Sequence, residues 1–283
     1  MSYKTPTSLS VAIVCYHTTV PELRTLLVSL HAAIRALSSL LELPVTHVYL
    51  IDNSELQEWT LAALAAEGEL LLSVNTELHF LHGHGNVGYG SAHNLVLGKL
   101  TSKFHLLLNP DVVLDENCLA AGLQHLLAHP GTAIVSPSAV DISGNTQYLC
   151  KTYPAVFTFL IRGFFPQFLK RLFVRRLARF EMQNLSDQAP TENIAIVSGC
   201  FMLCRTENLR RAQGFDEGYF LYFEDFDLSL RMQQLGNITY VPTMRIMHAG
   251  GHAAKKGLRH LRMFAKSGFR FYNKHGWRLF RQD

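Results

Sequence analysis

Two short stretches of this chain bring oxygen ligands together in patterns that could do chemistry. In Asn109-Pro110-Asp111, residues two apart in extended backbone point the same way, so positions 109 and 111 can converge on one ion. A hard cation such as Mg2+ or Mn2+ takes oxygen ligands and is often held by one or two carboxylates together with substrate phosphates. Only Asp111 is charged; Asn109 would offer a neutral carbonyl. The same tripeptide also suits a type I turn. In Glu224-Asp225-Phe226-Asp227 three acids precede an apolar helical pattern, where they could simply favour the helix dipole. Phe215, Tyr219, Phe220, Tyr222, Phe223 and Phe226 surround them with rings. A carboxylate in such surroundings has a raised pKa, which suits a general base taking a proton from a hydroxyl. Glu224 and Asp225 are adjacent, point in different directions and so should have different tasks. His248 stands before Ala249-Gly250-Gly251, where glycine allows close backbone approach; its nitrogen would favour Mn2+ over Mg2+. A lone His is also a common structural residue.

The Gly83 to Gly90 stretch, with glycines at 83, 85, 88 and 90, can present backbone amides to a phosphate at the start of a following helix. It is not the G-x-G-x-x-G spacing of a dinucleotide site. Asp52 could accept from the N3–H of a pyrimidine or cap a helix over Glu55 to Ala66.

Elements that would position these residues can be read from periodicity. Ser10 to Tyr16 is a continuous strand-like run, and Pro21 to Leu40 carries a helical apolar stripe. Val45 to Ile51 reads as a strand, Glu55 to Ala66 as a helix and Leu70 to Val74 as a strand. Ser91 to Leu100 reads as a helix, Phe104 to Leu108 as a strand and Asn117 to Ala128 as a helix. Such alternation predicts an α/β fold, a mostly parallel central sheet flanked by helices, with ligands at the carboxyl ends of strands. The polar turns Tyr16-His17-Thr18, Asp52-Asn53-Ser54 and Asn109-Pro110-Asp111 fall at those ends. Beyond them Tyr153 to Phe180 is broken by Pro154 and Pro166, Leu185 to Glu192 reads as a loop, and Ile194 to Cys204 is strand-rich. Asp227 to Leu235 reads as a helix, Ile238 to Val241 as a short strand, and Ala253 to Tyr272 as a basic helix. No repeat or low-complexity linker divides the chain. One domain is expected, with a nucleotide-binding half to about residue 112, an acceptor and catalytic half to about 252, and a basic C-terminal helical segment.

The chain has 283 residues, 48% hydrophobic and 17% charged, with a formal charge of +4, too small for a general nucleic-acid binder. Lys151 to Arg179 holds seven basic residues and Lys255 to Arg281 nine, both without an acid, so the rest of the chain is acidic on balance. Each segment is a solvated helix face or a surface that meets an anion, such as lipid headgroups or a diphosphate. Five cysteines without a C-x-x-C pair suggest neither a disulfide framework nor a zinc site, and fit a reducing cytosol. No signal peptide is read, and no uncharged apolar run approaches the ~20 residues of a membrane span.

The ordered segments resemble the family 2 glycosyltransferases of GT-A fold, in their rhamnosyltransferase-like branch. The resemblance rests on Ile51-Asp-Asn-Ser54, Asn86-Val-Gly-Tyr-Gly-Ser-Ala-His-Asn94, Leu107-Leu-Asn-Pro-Asp-Val112, Val197-Ser-Gly-Cys-Phe-Met-Leu203, Gly214-Phe-Asp-Glu217, Phe220-Leu-Tyr-Phe-Glu-Asp-Phe-Asp-Leu228 and Val241-Pro242 with His248, spanning roughly residues 11 to 252. It implies an inverting transferase that moves a sugar, L-rhamnose from dTDP-L-rhamnose, to a hydroxyl of a lipopolysaccharide, O-antigen or similar surface glycan. Tyr16, Asp52, Asn53, Asn86, Gly88, Tyr89, Asn94, Asn109 and Asp111 would bind the nucleotide-sugar. Asp111, at the last acid of the family's D-x-D motif, would hold Mg2+ or Mn2+ with His248 and, where the first acid is replaced, Asn109. Asp225 would be the catalytic base with Glu224 beside it, and Gly199, Cys200 and Asp227 would meet the acceptor. Cys200 stands where Ala is more usual. A UDP-sugar transferase of the same fold and a non-catalytic sugar-nucleotide or glycan-binding module are the alternatives. The partners implied are a nucleotide-sugar, a glycan or lipid-linked glycan, and an anionic membrane touched by Phe157 to Phe180 from the cytoplasm. That same stretch could instead be an acceptor lid or an oligomer contact.

Overall fold

The structure, a computed structural model, describes residues 7–55, 59–60, 75–250 and 257–280. Strand β1 (Leu9–Cys15) is buried along its whole length, as its unbroken apolar run requires. Helix α1 (Val20–Leu40) follows. Thr19 caps it: the Glu22 amide donates to Thr19 Oγ1, and the Thr19 amide donates to Glu22 Oε2 at 2.9 Å, a reciprocal capping box. By length and mean hydropathy α1 could cross a bilayer, but its stripe of Leu23, Leu26, Leu27, Leu30, Ile34 and Leu37 is buried in the core with β1.

Strands β2 (Thr46–Asp52), β3 (Thr76–Leu81) and β4 (Phe104–Leu108) lie parallel to β1 in the order β3-β2-β1-β4. Their carboxyl ends therefore share one edge. Helix α2 (Tyr89–Asn94) enters that edge from the glycine-rich stretch. The sheet continues with β10 (Phe201–Arg205), β6 (Thr132–Val140), β11 (Asn237–His248) and β5 (Val112–Leu114), while β7 (Thr146–Gln147) pairs with β6. β10 runs antiparallel between β4 and β6, a reversal that no local pattern announced. Helix α3 (Cys118–Ala128) packs on β11 and β6. The small pair β8 (Cys150–Lys151) and β9 (Ile196–Val197) stands apart. The fold is the expected α/β type, a mostly parallel central sheet flanked by helices.

Several expected elements differ in extent. The helix expected over Ser91 to Leu100 ends at Asn94, whose side chain bonds the Phe215 backbone, and resumes as one 3-10 turn, Leu97–Lys99. The short strand Ile238 to Val241 is the start of the twelve-residue β11, which passes Pro242 through a register shift between Val241 and Arg245; a bulge tolerates the missing proline N–H. β3 was not read from the sequence, although Leu78 and Phe80 alternate with Glu77 and His79. The strand expected over Leu70 to Val74, most of the helix over Glu55 to Ala66, and residues 253–256 of the basic helix lie outside the described residues.

Tyr153 to Phe180 folds as α4 (Val156–Phe164), α5 (Gln167–Lys170) and, after a 3-10 turn, α6 (Val174–Phe180). Helix α7 (Thr206–Arg211) follows β10. Helix α8 (Glu224–Gln233) begins three residues earlier than the apolar pattern suggested, placing Glu224 and Asp225 in its first turn. The basic segment forms α9 (Leu258–His275). Phe271 and Tyr272 of α9 pack with Tyr219, Phe223 and Tyr153 in a separate aromatic core.

Candidate active site

A cleft of about 490 Å3 opens at the carboxyl edge of β1, β2 and β4. Its wall includes Tyr16, Asn53, Asn86, Gly88, Tyr89, Asn109 and Asp111, so the turns after three parallel strands and the glycine-rich entry to α2 meet there. The Asn53 side chain knits two of those turns. Its Nδ2 donates to Asn86 Oδ1 at 3.2 Å and its Oδ1 accepts the Val87 amide at 3.0 Å. Asn86 Oδ1 also accepts the Gly88 amide at 3.1 Å.

Gly88 has φ 92°, and a Cβ there would stand 2.5 Å from the Phe220 carbonyl oxygen. Both facts call for glycine. The close approach lets the Tyr89 amide donate to that same carbonyl at 3.2 Å, which fixes α2 against the aromatic turn before α8. In that turn Tyr222 and Phe223 both have positive φ, 71° and 66°, a conformation that costs non-glycine residues of order 1–3 kcal/mol each. The Phe223 ring compensates by packing on Phe159, Phe226, Phe264 and Phe271. Strain held this firmly aims the first turn of α8.

At one end of the cleft Asp111 Oδ2 lies 3.4 Å from His248 Nε2. The two arrive from opposite directions: Asp111 just precedes β5 and His248 ends β11, its antiparallel neighbour. Gln147 orients the imidazole, with Oε1 2.8 Å from His248 Nδ1 and Nε2 donating to the His248 carbonyl at 3.0 Å. Burial would raise the Asp111 pKa, but the His248 hydrogen bond and charge, helped by backbone donors, hold it below the usual carboxylate value. Asp111 Oδ1 and Asn109 Oδ1 are both buried without a hydrogen-bond partner among the described residues. Two orphaned oxygens beside an oriented imidazole fit a divalent cation.

Asp52 is buried at the end of β2. Its Oδ1 accepts the Ser54 amide at 3.1 Å, and its Oδ2 is buried without a hydrogen-bond partner among the described residues. It lies beside Asn53 but is not part of the cleft wall.

Glu224 and Asp225 stand behind Tyr89. The Tyr89 hydroxyl donates to the Gly199 carbonyl at 2.6 Å, and the Gly199 amide donates to Asp225 Oδ2 at 3.0 Å. Burial drives the Tyr89 pKa far up, with further contributions from Cys200, Glu224, Asp225 and Asp111. Burial, then the Asp225 charge, pushes Glu224 up to about 8, and its Oε2 lacks a hydrogen-bond partner among the described residues. Asp225 is raised by burial too, opposed by the Gly199 and Phe226 amides and by the charge of Lys151. Burial lowers Lys151 to about 8. Burial also pushes the Cys200 thiol to about 12, leaving it a small apolar wall beside Gly199.

Two further expected site residues sit elsewhere. Asp227 is fully buried away from the cleft, gripped by Arg231 Nε, Lys274 Nζ and His275 Nε2, each at 2.7 Å. Burial alone would raise its pKa, but those partners hold it well below the usual range. It ties α8 to α9, which corrects the acceptor role expected for it. Asn94 likewise corrects to a brace: it bonds Phe215 N–H and C=O at 2.9 Å and Glu217 at 3.2 Å. Conversely, Arg259, His260 and Met263 of α9 line the cleft although no motif singled them out. The acid-free run Lys255 to Arg281 is the sequence feature that set this segment apart.

The family model for "Glycosyltransferase like family 2" matches residues 6–270. The rhamnosyltransferase WbbL of Escherichia coli K12 is 25% identical over 207 residues, 69% of this chain and 73% of that one. The N-acetylglucosaminyl-diphospho-decaprenol L-rhamnosyltransferase of Mycobacterium tuberculosis is 27% identical over 210 residues, 68% of this chain and 66% of its own. Among solved structures, GalNAc-T7 with UDP, GalNAc and Mn2+ superposes with a TM-score of 0.59 at 15% identity, over 95% of this chain and 51% of that one. The mannosyltransferase PcManGT of Pyrobaculum calidifontis with GDP-Man and Mn2+ gives 0.56 at 16%, over 89% and 59%. This chain thus spans between half and two thirds of those two structures. With the matched model covering most of its length, the chain belongs to glycosyltransferase family 2 and is a glycosyltransferase.

Proposed function

We propose that this enzyme is an inverting, cation-dependent rhamnosyltransferase that moves L-rhamnose from dTDP-L-rhamnose to a hydroxyl of a lipid-linked cell-surface glycan, of lipopolysaccharide, O-antigen or similar kind. The observation that carries the reading is the cleft itself: Asp111 and His248 3.4 Å apart at one end, with Tyr89 joining it through Gly199 to Asp225. Nucleotide, leaving diphosphate and base then have places in sequence.

Asn53, Asn86 and Gly88 hold the wall against which a nucleoside rests, with Asp52 buried behind Asn53 and bonded to the Ser54 amide of the same turn. Asp111, His248 and Asn109 would hold the cation, which when bound neutralises the diphosphate. Arg259 and His260 of α9 add positive and donor groups to the lining of the same cleft. Asp225 takes the acceptor proton as the oxygen attacks the anomeric carbon from the face opposite the diphosphate. Lys151 favours the charged form of Asp225; buried Glu224, which keeps its proton to about pH 8, does not compete as a second anion. A binding module would have no use for this buried acid pair.

Rhamnose as the sugar is supported by the two relatives named for it, and a lipid-linked acceptor by the decaprenol in the mycobacterial name. A membrane-facing surface fits that acceptor. Leu160, Phe168, Leu172 and Val174 are exposed on α4 to α6, and Leu279 and Phe280 are exposed beside them. The Val156 and Phe157 amides donate to the Arg278 and Leu279 carbonyls at 2.9 and 3.0 Å, joining these segments. With Arg162, Lys170, Arg171 and Arg175 around it, this surface suits the headgroup layer of an anionic bilayer on its cytoplasmic side. Liposomes containing anionic lipid should carry the protein upward on flotation, and neutral liposomes much less.

Scanning fluorimetry of the full chain with Mn2+ and dTDP, UDP or GDP tests the donor. A ligand at a hundred times its Kd stabilises by about 2.7 kcal/mol, so dTDP should raise Tm most. Stabilisation by GDP alone would defeat the proposal.

A further inference from the structure

Three side chains with metal-binding atoms meet on β2 and β3, far from the cleft. In the parallel register His47 faces Glu77 and Tyr49 faces His79. Side chains two apart on a strand share a face, and neighbouring strands lie ~4.8 Å apart, so His47, Glu77 and His79 converge by backbone geometry alone. His47 Nδ1 is 3.0 Å from His79 Nε2. Glu77 presents a different oxygen to each ring, Oε2 at 3.5 Å from His47 Nδ1 and Oε1 at 3.7 Å from His79 Nε2. Zinc bonds to imidazole and carboxylate are ~2.0–2.2 Å, so tetrahedral ligand atoms stand roughly 3.3–3.5 Å apart. The separations found bracket that spacing.

The rings are also oriented. Tyr49 stacks on His79 with centroids 4.7 Å apart and planes at 19°, and His47 lies 6.5 Å from the same Tyr49 ring. The two imidazoles are 30% and 31% exposed and Glu77 56%, leaving an entry path and room for a fourth, solvent ligand. Two nitrogens and one oxygen suit zinc better than magnesium.

We propose that His47, Glu77 and His79 form a second divalent-cation site, of the zinc class, that fastens β3 to β2. It is independent of the sugar-transfer reading. His47 precedes Asp52 by five residues, about 16 Å along the strand. β3 leads directly into the Gly83 to Gly90 stretch that carries Asn86, so the ion would steady one wall of the cleft from behind.

The test uses the untagged full chain, stripped with chelator, dialysed against micromolar Zn2+ and analysed for metal, with Co2+ as a spectroscopic probe. One zinc per chain should bind to wild type and to Asp111→Asn alike. Affinity should fall about tenfold or more in His47→Gln/His79→Gln and in Glu77→Gln, with Glu77 exposed enough that its replacement leaves folding intact. Co2+ should give the strong visible bands of tetrahedral coordination in wild type and Asp111→Asn. Zinc binding unchanged in the histidine pair variant, zinc binding unchanged in Glu77→Gln, or no zinc bound by wild type would each overturn the site. The last result would leave only a hydrogen-bonded histidine pair.

Discussion

Replacing Glu224 by Gln should make the protein more stable, increasingly so as pH rises. Glu224 is 5% exposed, and burial with the neighbouring Asp225 raises its pKa from 4.5 to about 8. Between those values the folded chain holds a proton that the unfolded chain has released. Fewer protons on the unfolded state mean that stability falls with pH. The contribution is intact below pH 4.5 and lost as pH rises through about 8. A shift of that size corresponds to at most about 5 kcal/mol at ~1.36 kcal/mol per unit, shared with Asp225 because the two titrate together. Glu224→Gln cannot ionise and so escapes the loss. Fluorimetric melts should give similar Tm values near pH 5 and a variant higher by roughly 5 °C or more near pH 9. Lys151, lowered to about 8, titrates in the same upper range with the opposite sign. It is present in both proteins and largely cancels in the difference. A Tm difference that stays flat from acid to alkaline pH would refute this account of the acid pair.

Asp227→Asn should cost about 3–5 kcal/mol, read as a lower urea midpoint at similar slope, because it leaves Arg231, Lys274 and His275 around a neutral group in a fully buried site. Donor binding should survive in the folded fraction, since Asp227 is remote from the cleft. Gly88→Ala should destabilise by about 2 kcal/mol or more, from the positive φ and the 2.5 Å approach to the Phe220 carbonyl. Because that contact holds Tyr89 and Asn86 in the wall, the KM for donor should rise as well; an unchanged Tm would contradict the close approach.

How much of this was legible before the fold was known depends on the scale of the signal. The strands β1, β2 and β4 and the turns after them were readable, because unbroken apolar runs followed by polar turns report on local backbone. That is why Asn53, Asn86, Gly88, Tyr89, Asn109 and Asp111 could be named together, and the cleft does gather them. Asn94 and Asp227 were misplaced because a motif gives residue type, not side-chain direction. In α8 the helical period sends Glu224, Asp227 and Leu228 into the interior, where Arg231 one turn on and Lys274 and His275 of α9 together hold Asp227. The same packing brings Arg259 and His260 to the cleft from the far end of the chain, a tertiary fact whose one local trace is the acid-free basic run that contains them. β10 illustrates a third limit: Phe-Met-Leu-Cys-Arg reads as a buried strand in either direction, and only its neighbours β4 and β6 make it antiparallel.

The central claim is that Asp225 moves the proton while the cleft in front of Tyr89 holds the donor. The direct measurement is rhamnosyl transfer from dTDP-L-rhamnose to a polyprenyl-diphosphate-linked acceptor by wild type and Asp225→Asn, paired with calorimetric donor binding in Mn2+. A positioned base contributes about 10²–10⁴-fold, so kcat should fall within that range while donor Kd changes less than about threefold. Transfer by Asp225→Asn at near wild-type rate would contradict the assignment of the base.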